Sequence, residues 1–325
     1  MINTLTPTQI GQGTAHGKII LMGEHAVVYD FPAIAMPFDA VQSHVHITPY
    51  EQSETYLSCP YYNGLLNEAP VAFNNLKQAY QLTLESLKIQ PQSMHIRIDS
   101  SIPLERGMGS SAAVSVALVR AIAHFYQKTL SDAQLRFIVN QAEVIAHATT
   151  SGIDTLMTSS AQPVIYRKSQ PPKTFNLALD AFLVVADSGQ TGQTKLAVQK
   201  VAQLKEARPL FANQVLSDIG SFVQKAYHAI QQQNVVELGR LMTYNHYYLN
   251  QLGVSTPELD QIVSAAWRSG ALGAKLTGGG LGGCAIALAS TEEEARYIAN
   301  AMQEAGAIQT WITSLNAERS NLCHH

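Results

Sequence analysis

The chain has 325 residues, of which 46% are hydrophobic and 14% are charged, a balance typical of a globular protein long enough for two domains. The formal net charge of −3 gives no general attraction to nucleic acid or to anionic membranes. Three widely spaced cysteines without a CxxC pair argue against a disulfide framework or a zinc site. Because no signal peptide or bilayer-spanning apolar stretch is recognisable, we expect a cytoplasmic protein.

The first predicted element is a short buried strand with polar residues at both ends. Its apolar run, residues 19–22, is preceded by Lys18 and followed by Gly23, Glu24 and His25. Taken alone, the Gly–Glu–His sequence is typical of a turn, and a wall of a binding site is the alternative.

The rest of the chain mixes helices and strands without regular βαβ alternation, which favours an α+β fold. Before a polar connector at 168–174, the patterns predict a helix at 74–88 and a strand at 94–99. They also predict a helix at 110–128 and another from Ser131 onwards. After the connector, they predict a strand at 181–187, four helices within 194–269 and a strand at 284–289. A helix at 291–305 and a strand at 308–315 follow.

The strongest motif is a glycine-rich loop between a predicted strand and a predicted helix. Its residues are Gly107, Met108, Gly109, Ser110, Ser111 and Ala112. Glycines let a backbone approach a ligand closely, and the first turn of a helix presents N–H groups and the positive end of its dipole. The loop therefore predicts a phosphate site, although a serine N-cap preceded by flexible glycines fits the same pattern.

Two acidic residues follow at positions that need an explanation. At 100° per residue, Glu143 falls at the edge of the apolar stripe of its helix, where a carboxylate is costly unless it is paired or binds a metal ion. Asp154 follows a predicted turn at 149–152 and, taken alone, is most simply the N-cap of another helix. Each acid is therefore a candidate site residue with a structural alternative.

A second glycine-rich loop precedes the strand at 284–289. It has five glycines in six positions, Gly278, Gly279, Gly280, Gly282 and Gly283. Successive backbone N–H groups there could bind an anion, and a tight packing contact against the loop of another domain is the alternative.

The order of these motifs resembles the GHMP kinase superfamily, which includes galactokinase, homoserine kinase, mevalonate kinase and phosphomevalonate kinase. All three superfamily motifs match, from about residue 15 to residue 288. Within the superfamily, the stretches GKIILMGEHAVVYDFPAIA, AEVIAHATTSGID and DSGQTGQTKLAV are most similar to the mevalonate kinases. The chain departs from the usual motifs at His16, where proline is common, and at Glu105, where a small residue is common.

This resemblance implies an α+β protein with the two-domain GHMP kinase architecture. An N-terminal ATP-binding domain would comprise residues 1–175, and a ferredoxin-like C-terminal domain would comprise residues 176–325, with the active site between them. The implied reaction is ATP-dependent phosphorylation of the primary (5-) hydroxyl of mevalonate in isoprenoid biosynthesis, with ATP and Mg²⁺ as cofactors.

The resemblance also implies a role for each candidate residue. The first glycine-rich loop would hold the phosphates of ATP, and Ser111 and Glu143 would bind Mg²⁺. Asp154 would accept or orient the proton of the substrate hydroxyl, and Lys18 would lower the pKa of that hydroxyl. The substrate pocket would be lined by Lys18, Glu24, His25, Asp154 and Thr194.

Several alternatives remain open from the sequence. Another GHMP kinase is the nearest, above all a phosphomevalonate kinase, because substrate choice depends on scattered pocket residues. Galactokinase-like sequences carry an acid where this chain has Val27, and a diphosphomevalonate decarboxylase fits the motifs less well. A non-catalytic ligand-binding relative should lack Lys18, Glu143 or Asp154, and all three are present. No nucleic acid or membrane partner is expected, and a homodimer is compatible with the sequence.

Overall fold

A computed structural model of the chain describes residues 10–147 and 152–316, and the side chains at 145–147 are left out of the description. The described residues form two compact units, each built from separate stretches of the chain. The first unit comprises residues 10–17, 41–103 and 109–160. The second comprises Lys18–Ala40, Leu104–Met108 and residues 161–316. The division of the chain at residue 175 stays a prediction.

The strands of the first unit include parts of two long strands whose remaining residues belong to the second unit. Strand β1 (Gly11–Met22) begins in the first unit, and β2 (Ala33–Pro49) ends there. A hairpin of β3 (Tyr56–Cys59) and β4 (Tyr62–Leu65) follows. Strand β5 (Met94–Ser100) pairs antiparallel with the second half of β2 and parallel with β3. The alternation of the sequence over β5 is thus explained by one buried face.

Four helices complete the first unit, α1 (Asn74–Leu87), α2 (Ser110–Phe125), α3 (Asp132–His147) and α4 (Ile153–Ser159). Helix α2 is apolar around most of its circumference, and most of its residues are buried. Before α3, the backbone N–H of Ser131 donates to Gln134 Oε1 at 3.0 Å and the backbone N–H of Gln134 donates to Ser131 Oγ at 3.3 Å, which together form a capping box. Residues 149–151 of the predicted turn lie outside the described part of the chain.

The second unit begins with short strands. The first residues of β2 pair with β6 (Val164–Tyr166), and β6 pairs with β7 (Lys173–Thr174). The sequence predicts a turn at Pro37–Asp39, and this prediction is wrong because β2 is continuous there. Pro37 lies between the residues of β2 that pair with β6, 33–35, and those that pair with β5, 43–49, and β2 also pairs with β1.

A four-stranded antiparallel sheet forms the centre of the second unit. Its strands are β8 (Ala178–Asp187), β9 (Gly273–Thr277), β10 (Cys284–Ala289) and β11 (Gln309–Asn316). Their spatial order is β11-β8-β10-β9, so the fourth strand lies beside the first and the third lies beside the second. This is the order of a ferredoxin-like sheet, as predicted for the C-terminal part of the chain.

Five helices connect these strands, α5 (Thr194–Ala207), α6 (Pro209–Gln231), α7 (Val235–Gln251), α8 (Pro257–Arg268) and α9 (Glu292–Glu304). The core contains small and branched residues from the sheet and these helices, such as Val184 on β8, Ile219 on α6 and Ile298 on α9. No helix within residues 10–147 and 152–316 is long and apolar enough to cross a membrane. Among the described elements, β3, β4, β6, β7 and β9 are not predicted, α4 is predicted without bounds, and the strand predicted at 19–22 is shorter than β1.

Candidate active site

The first glycine-rich loop turns into α2 through two glycines with positive φ. Gly107 has φ of 77° and Gly109 has φ of 76°, a conformation that favours glycine. Gly109 is the N-cap of α2, and no side chain caps the helix. The serine N-cap alternative is therefore wrong, and Ser110 and Ser111 belong to the first turn of the helix.

A hydrogen-bonded chain of three side chains lies at the start of α2 in the first unit. The hydroxyl of Ser111 donates to Glu143 Oε1 at 2.7 Å, and Asn75 Nδ2 donates to Ser111 Oγ at 2.8 Å. Glu143 is only 4% exposed, which confirms that α3 carries a carboxylate on its buried side. The sequence does not point to Asn75, because its burial in the first turn of α1, unusual for an asparagine, is visible only in the folded chain.

Asp154 lies in the first turn of α4 and is not its N-cap. The N-cap is Gly152, with φ of 74° and no side-chain hydrogen bond. The N-cap alternative for Asp154 is thus wrong, since the glycine takes that position. A carboxylate in the first turn is favoured by the helix dipole.

Lys18 lies in β1, in the second unit, and is 4% exposed. Its backbone N–H donates to the carbonyl of Met108 at 2.9 Å, so the strand is tied directly to the first glycine-rich loop. The side chain of Met108 is buried, and this residue contributes its backbone to the loop.

Arg106 fixes the residues that lead into the first glycine-rich loop. Its Nε donates to Asp187 Oδ1 at 2.8 Å, and its Nη2 donates to the carbonyl of Gly189 at 3.0 Å. The backbone N–H of Gly192 donates to the carbonyl of Glu105 at 2.7 Å. The loop entrance is therefore bonded to residues 187–192, which directly precede Thr194 and α5.

Glu24 and His25 form a buried turn at the end of β1. The carboxylate of Glu24 pairs with the ammonium of Lys275 on β9, and both side chains have 0% exposure. Burial raises the pKa of Glu24, whereas the charge of Lys275 opposes that rise. His25 Nε2 donates to the carbonyl of Gly279 at 2.9 Å, and burial lowers the pKa of His25 to about 4. At neutral pH this imidazole is therefore neutral, and its Nδ1 is an acceptor.

Thr194 and the second glycine-rich loop are packed against each other in the second unit. A Cβ atom added to Gly279 would lie 2.2 Å from Thr194 Oγ1, and one added to Gly280 would lie 2.2 Å from the carbonyl oxygen of Val254. This crowding shows that the loop is tightly packed, here against residues of its own unit and not against another domain. Lys275, which directly precedes it, is a further residue that sequence reasoning missed, although a lysine in an otherwise apolar strand was a visible signal.

The two units thus contain different chemistry. The first unit presents a helix N-terminus, a hydroxyl and a buried carboxylate, groups suited to phosphate oxygens and a hard cation. The second unit presents the ammonium of Lys18, the carboxylate of Glu24 and the neutral imidazole of His25, groups suited to a polar substrate. This combination is typical of an enzyme that transfers a phosphoryl group to a small molecule.

Comparison with known proteins assigns the class. The model of the GHMP kinases N-terminal domain matches residues 74–161, and that of the GHMP kinases C-terminal domain matches residues 226–308. The chain therefore belongs to the GHMP kinase family, and the predicted α+β kinase fold is confirmed. Members of this family use ATP as co-substrate.

Several proteins that match over nearly the whole chain at 28% identity or more are mevalonate kinases. The mevalonate kinase of Pyrococcus horikoshii is 32% identical, and the match covers 94% of this chain and 95% of that protein. The crystal structure of L. major mevalonate kinase in complex with R-mevalonate matches with a TM-score of 0.80 and 28% identity, covering 94% of this chain and 96% of that one. The crystal structure of mevalonate kinase from Staphylococcus aureus MRSA252 matches with a TM-score of 0.72 and 32% identity, covering 95% of this chain and 100% of that one.

Proposed function

We propose that the protein transfers the γ-phosphoryl group of ATP to the primary (5-) hydroxyl of mevalonate, giving 5-phosphomevalonate and ADP. The observation that carries this proposal is the similarity to mevalonate kinases at 32% identity over 94% of the chain. A relative of known structure with 28% identity is described in complex with R-mevalonate.

The phosphates of ATP are assigned to the first glycine-rich loop, residues 107–112. The positive φ values of Gly107 and Gly109 shape the turn that leads into α2, and the N-terminus of α2 adds unpaired N–H groups and the positive end of its dipole. Catalysis of phosphoryl transfer is mainly positioning and electrostatic stabilisation, so a rigid phosphate site is a large part of the mechanism.

Ser111 and Glu143 fit a magnesium ion that accompanies ATP. Their side-chain oxygens lie 2.7 Å apart, and both are the hard oxygen ligands that Mg²⁺ prefers. A metal role also accounts for a carboxylate with 4% exposure at the edge of an apolar helix face. When bound, the ion supplies positive charge to the phosphate oxygens, and Asn75 holds the Ser111 hydroxyl in place.

Asp154 and Lys18 are assigned to the chemical step. Asp154 accepts or orients the proton of the attacking hydroxyl, a role in which a positioned carboxylate typically contributes about 10²-fold to 10⁴-fold. The ammonium of Lys18 lowers the pKa of the hydroxyl and stabilises negative charge on the transferred group. Glu24, His25 and Thr194 are assigned to the substrate, where the carboxylate of Glu24 and Nδ1 of His25 accept hydrogen bonds from hydroxyl groups.

A panel of alcohols tests this proposal. The purified protein is given Mg²⁺-ATP with mevalonate, phosphomevalonate, homoserine or galactose, and ADP release is followed for each. We expect kcat/KM for mevalonate to exceed that for each other alcohol by at least about 10²-fold, because substrate-specific hydrogen bonds in a buried site discriminate strongly. A reaction without alcohol is the control for ATP hydrolysis.

Two outcomes of the panel would contradict the proposal. Faster phosphorylation of phosphomevalonate than of mevalonate would indicate a phosphomevalonate kinase instead. Absence of ADP release with every alcohol would instead favour a non-catalytic ligand-binding relative.

A further inference from the structure

The turn that carries Glu24 and His25 has an unusual backbone. His25 has φ of 61° and ψ of −44°, and the backbone N–H of Ala26 donates to the carbonyl of Glu24 at 2.7 Å. This is a γ-turn with positive φ at its central residue, a rare and strained conformation. Such strain persists only where the surrounding structure holds the residue in place.

Three contacts hold this turn. The backbone N–H of Gly23 donates to Asn245 Oδ1 on α7 at 3.2 Å. The imidazole of His25 donates to the carbonyl of Gly279 at 2.9 Å. The carboxylate of Glu24 pairs through Oε1 with Lys275, whose ammonium also donates to the carbonyl of Leu276 at 2.6 Å. The turn is therefore anchored to α7 and to the stretch formed by β9 and the loop that follows it.

The Glu24–Lys275 pair is not explained by stability alone. Both side chains are completely buried, and desolvation of such a pair commonly offsets its Coulomb attraction, so an apolar pair of similar volume is often as stable. Lys275 occupies only one oxygen of the carboxylate. Within residues 10–147 and 152–316, the other oxygen, Glu24 Oε2, has no hydrogen-bond partner. The pair thus fixes the direction of a buried acceptor.

We propose that Lys275 is a positioning residue for the substrate side of the active site. By holding Oε1 it orients Oε2 of Glu24 and helps to maintain the strained turn at His25 before a substrate binds. Lys275 is bonded to Oε1 of Glu24 and to the carbonyl of Leu276, so its effect on the turn passes through the Glu24 carboxylate. The inference rests on the proposed function, which assigns Glu24 to the substrate.

The effect of removing Lys275 on the pKa of Glu24 depends on the other charged and titratable groups around Glu24. They are Lys275 on β9, Lys18 on β1, the neighbouring His25 and, beside Lys275, His246 on α7. His246 donates from Nε2 to Asp260 at 3.2 Å, and burial lowers its pKa to about 4, so it adds no positive charge at neutral pH. Lys275 is thus the principal group that opposes the rise in the pKa of Glu24 caused by burial.

A double-mutant cycle tests the proposal by kinetics. We expect Lys275→Met and Glu24→Gln each to lower kcat/KM for the alcohol by about 10²-fold, the loss typical of a small misplacement in an active site. The double variant Glu24→Gln/Lys275→Met should be no worse than Glu24→Gln, because Lys275 acts through Glu24. KM for ATP should stay unchanged throughout. The matched control is Lys200→Met, at an exposed lysine on α5.

A pH profile separates positioning from simple destabilisation. Without Lys275, burial alone acts on Glu24, so its pKa rises further and a smaller fraction is ionised at neutral pH. The acidic limb of kcat/KM in Lys275→Met should therefore shift to higher pH by about 1 to 3 units, the usual effect of a lost neighbouring charge. The double variant Glu24→Gln/Lys275→Met lacks this carboxyl group, so its kcat/KM should show no acidic limb from Glu24.

The outcomes distinguish this inference from the proposed function. Wild-type activity in the alcohol panel decides the proposed function, and the cycle uses whichever alcohol is phosphorylated. If Lys275→Met does not fold, the comparison of Glu24→Gln with the double variant carries the test. Additive losses, or wild-type kinetics in Lys275→Met, would overturn the role of Lys275. A crystal structure of Lys275→Met needs no substrate, and an unchanged Glu24 carboxylate and His25 turn in it would overturn the role as well.

Discussion

The two glycine-rich loops have similar compositions but need their glycines for different reasons. In the first loop, Gly107 has φ of 77°, and a Cβ atom there would meet nothing closer than 3.5 Å, which is ordinary van der Waals contact. In the second loop, a Cβ atom on Gly279 or Gly280 would come within 2.2 Å of a neighbouring atom. Glycine is thus required for backbone conformation in the first loop, whereas in the second loop close approach of the protein to itself requires it as well, in addition to the positive φ of residues such as Gly280.

This difference agrees with the proposal that the first loop binds phosphate and that the second is a packing loop. The uncrowded glycine of the first loop is compatible with the approach of a phosphate group to the backbone. The crowded glycines of the second loop hold Thr194, Val254 and the residues around Arg106 in contact with the strand that carries Lys275. The loop with more glycines therefore contributes chiefly to the arrangement of the second unit.

The largest effect is expected from Gly282→Ala. A Cβ atom there would lie 2.5 Å from the carbonyl oxygen of Thr191, at a residue with φ of 114°. Backbone strain and overpacking together should lower the free energy of unfolding by about 3 kcal/mol or more. Urea denaturation measures the loss.

Gly306→Ala is the matched control for this variant. Gly306 has nearly the same φ, 111°, and a Cβ atom added there would meet no other atom within 4 Å. The free energy of unfolding of Gly306→Ala should fall only by the conformational cost of the positive φ, about 1 to 2 kcal/mol. Equal losses in the two variants would show that crowding in the second loop has no energetic importance.

A smaller and different effect is expected from Gly107→Ala in the first loop. Its methyl group meets no atom closer than 3.5 Å, so the cost to the fold is limited to the strain of φ at 77°. The methyl group would stand where the backbone is proposed to approach the phosphates, so KM for ATP should rise about tenfold, equivalent to about 1.4 kcal/mol. KM for the alcohol should not change. The control is Gly270→Ala, with φ of 90° and nothing within 4 Å, which should leave KM for ATP unaltered. A loss of stability as large as that of Gly282→Ala, with an unchanged KM for ATP, would remove the distinction between the loops.

Much of the fold was predictable because its longer elements have strong local patterns. The helices α1, α2 and α3 lie close to their predicted positions, and so do the strands β5, β8, β10 and β11. The strand β9 was missed since its five residues are all buried, so the sequence shows no alternation. The hairpin of β3 and β4 was missed because its short strands contain turn-forming residues such as Asn63 and Gly64.

The candidate site was predictable only where its residues lie in continuous motifs. The loop at 107–112 and the Glu24–His25 turn could be recognised locally. The partner of Glu24 could not, because Lys275 is 251 residues away and only the folded sheet brings them together. The Arg106–Asp187 pair is similar, with a separation of 81 residues along the chain. Which atom a buried charge meets depends on tertiary packing and has no local signal.

The most direct test of the account follows the phosphoryl group itself. Phosphorus NMR of the purified protein with Mg²⁺-ATP and mevalonate should show a new phosphate monoester resonance growing together with ADP. The Asp154→Asn variant should form this ester at least about 10²-fold more slowly. Formation of ADP and inorganic phosphate without the ester, or an Asp154→Asn rate equal to that of the wild type, would contradict the account.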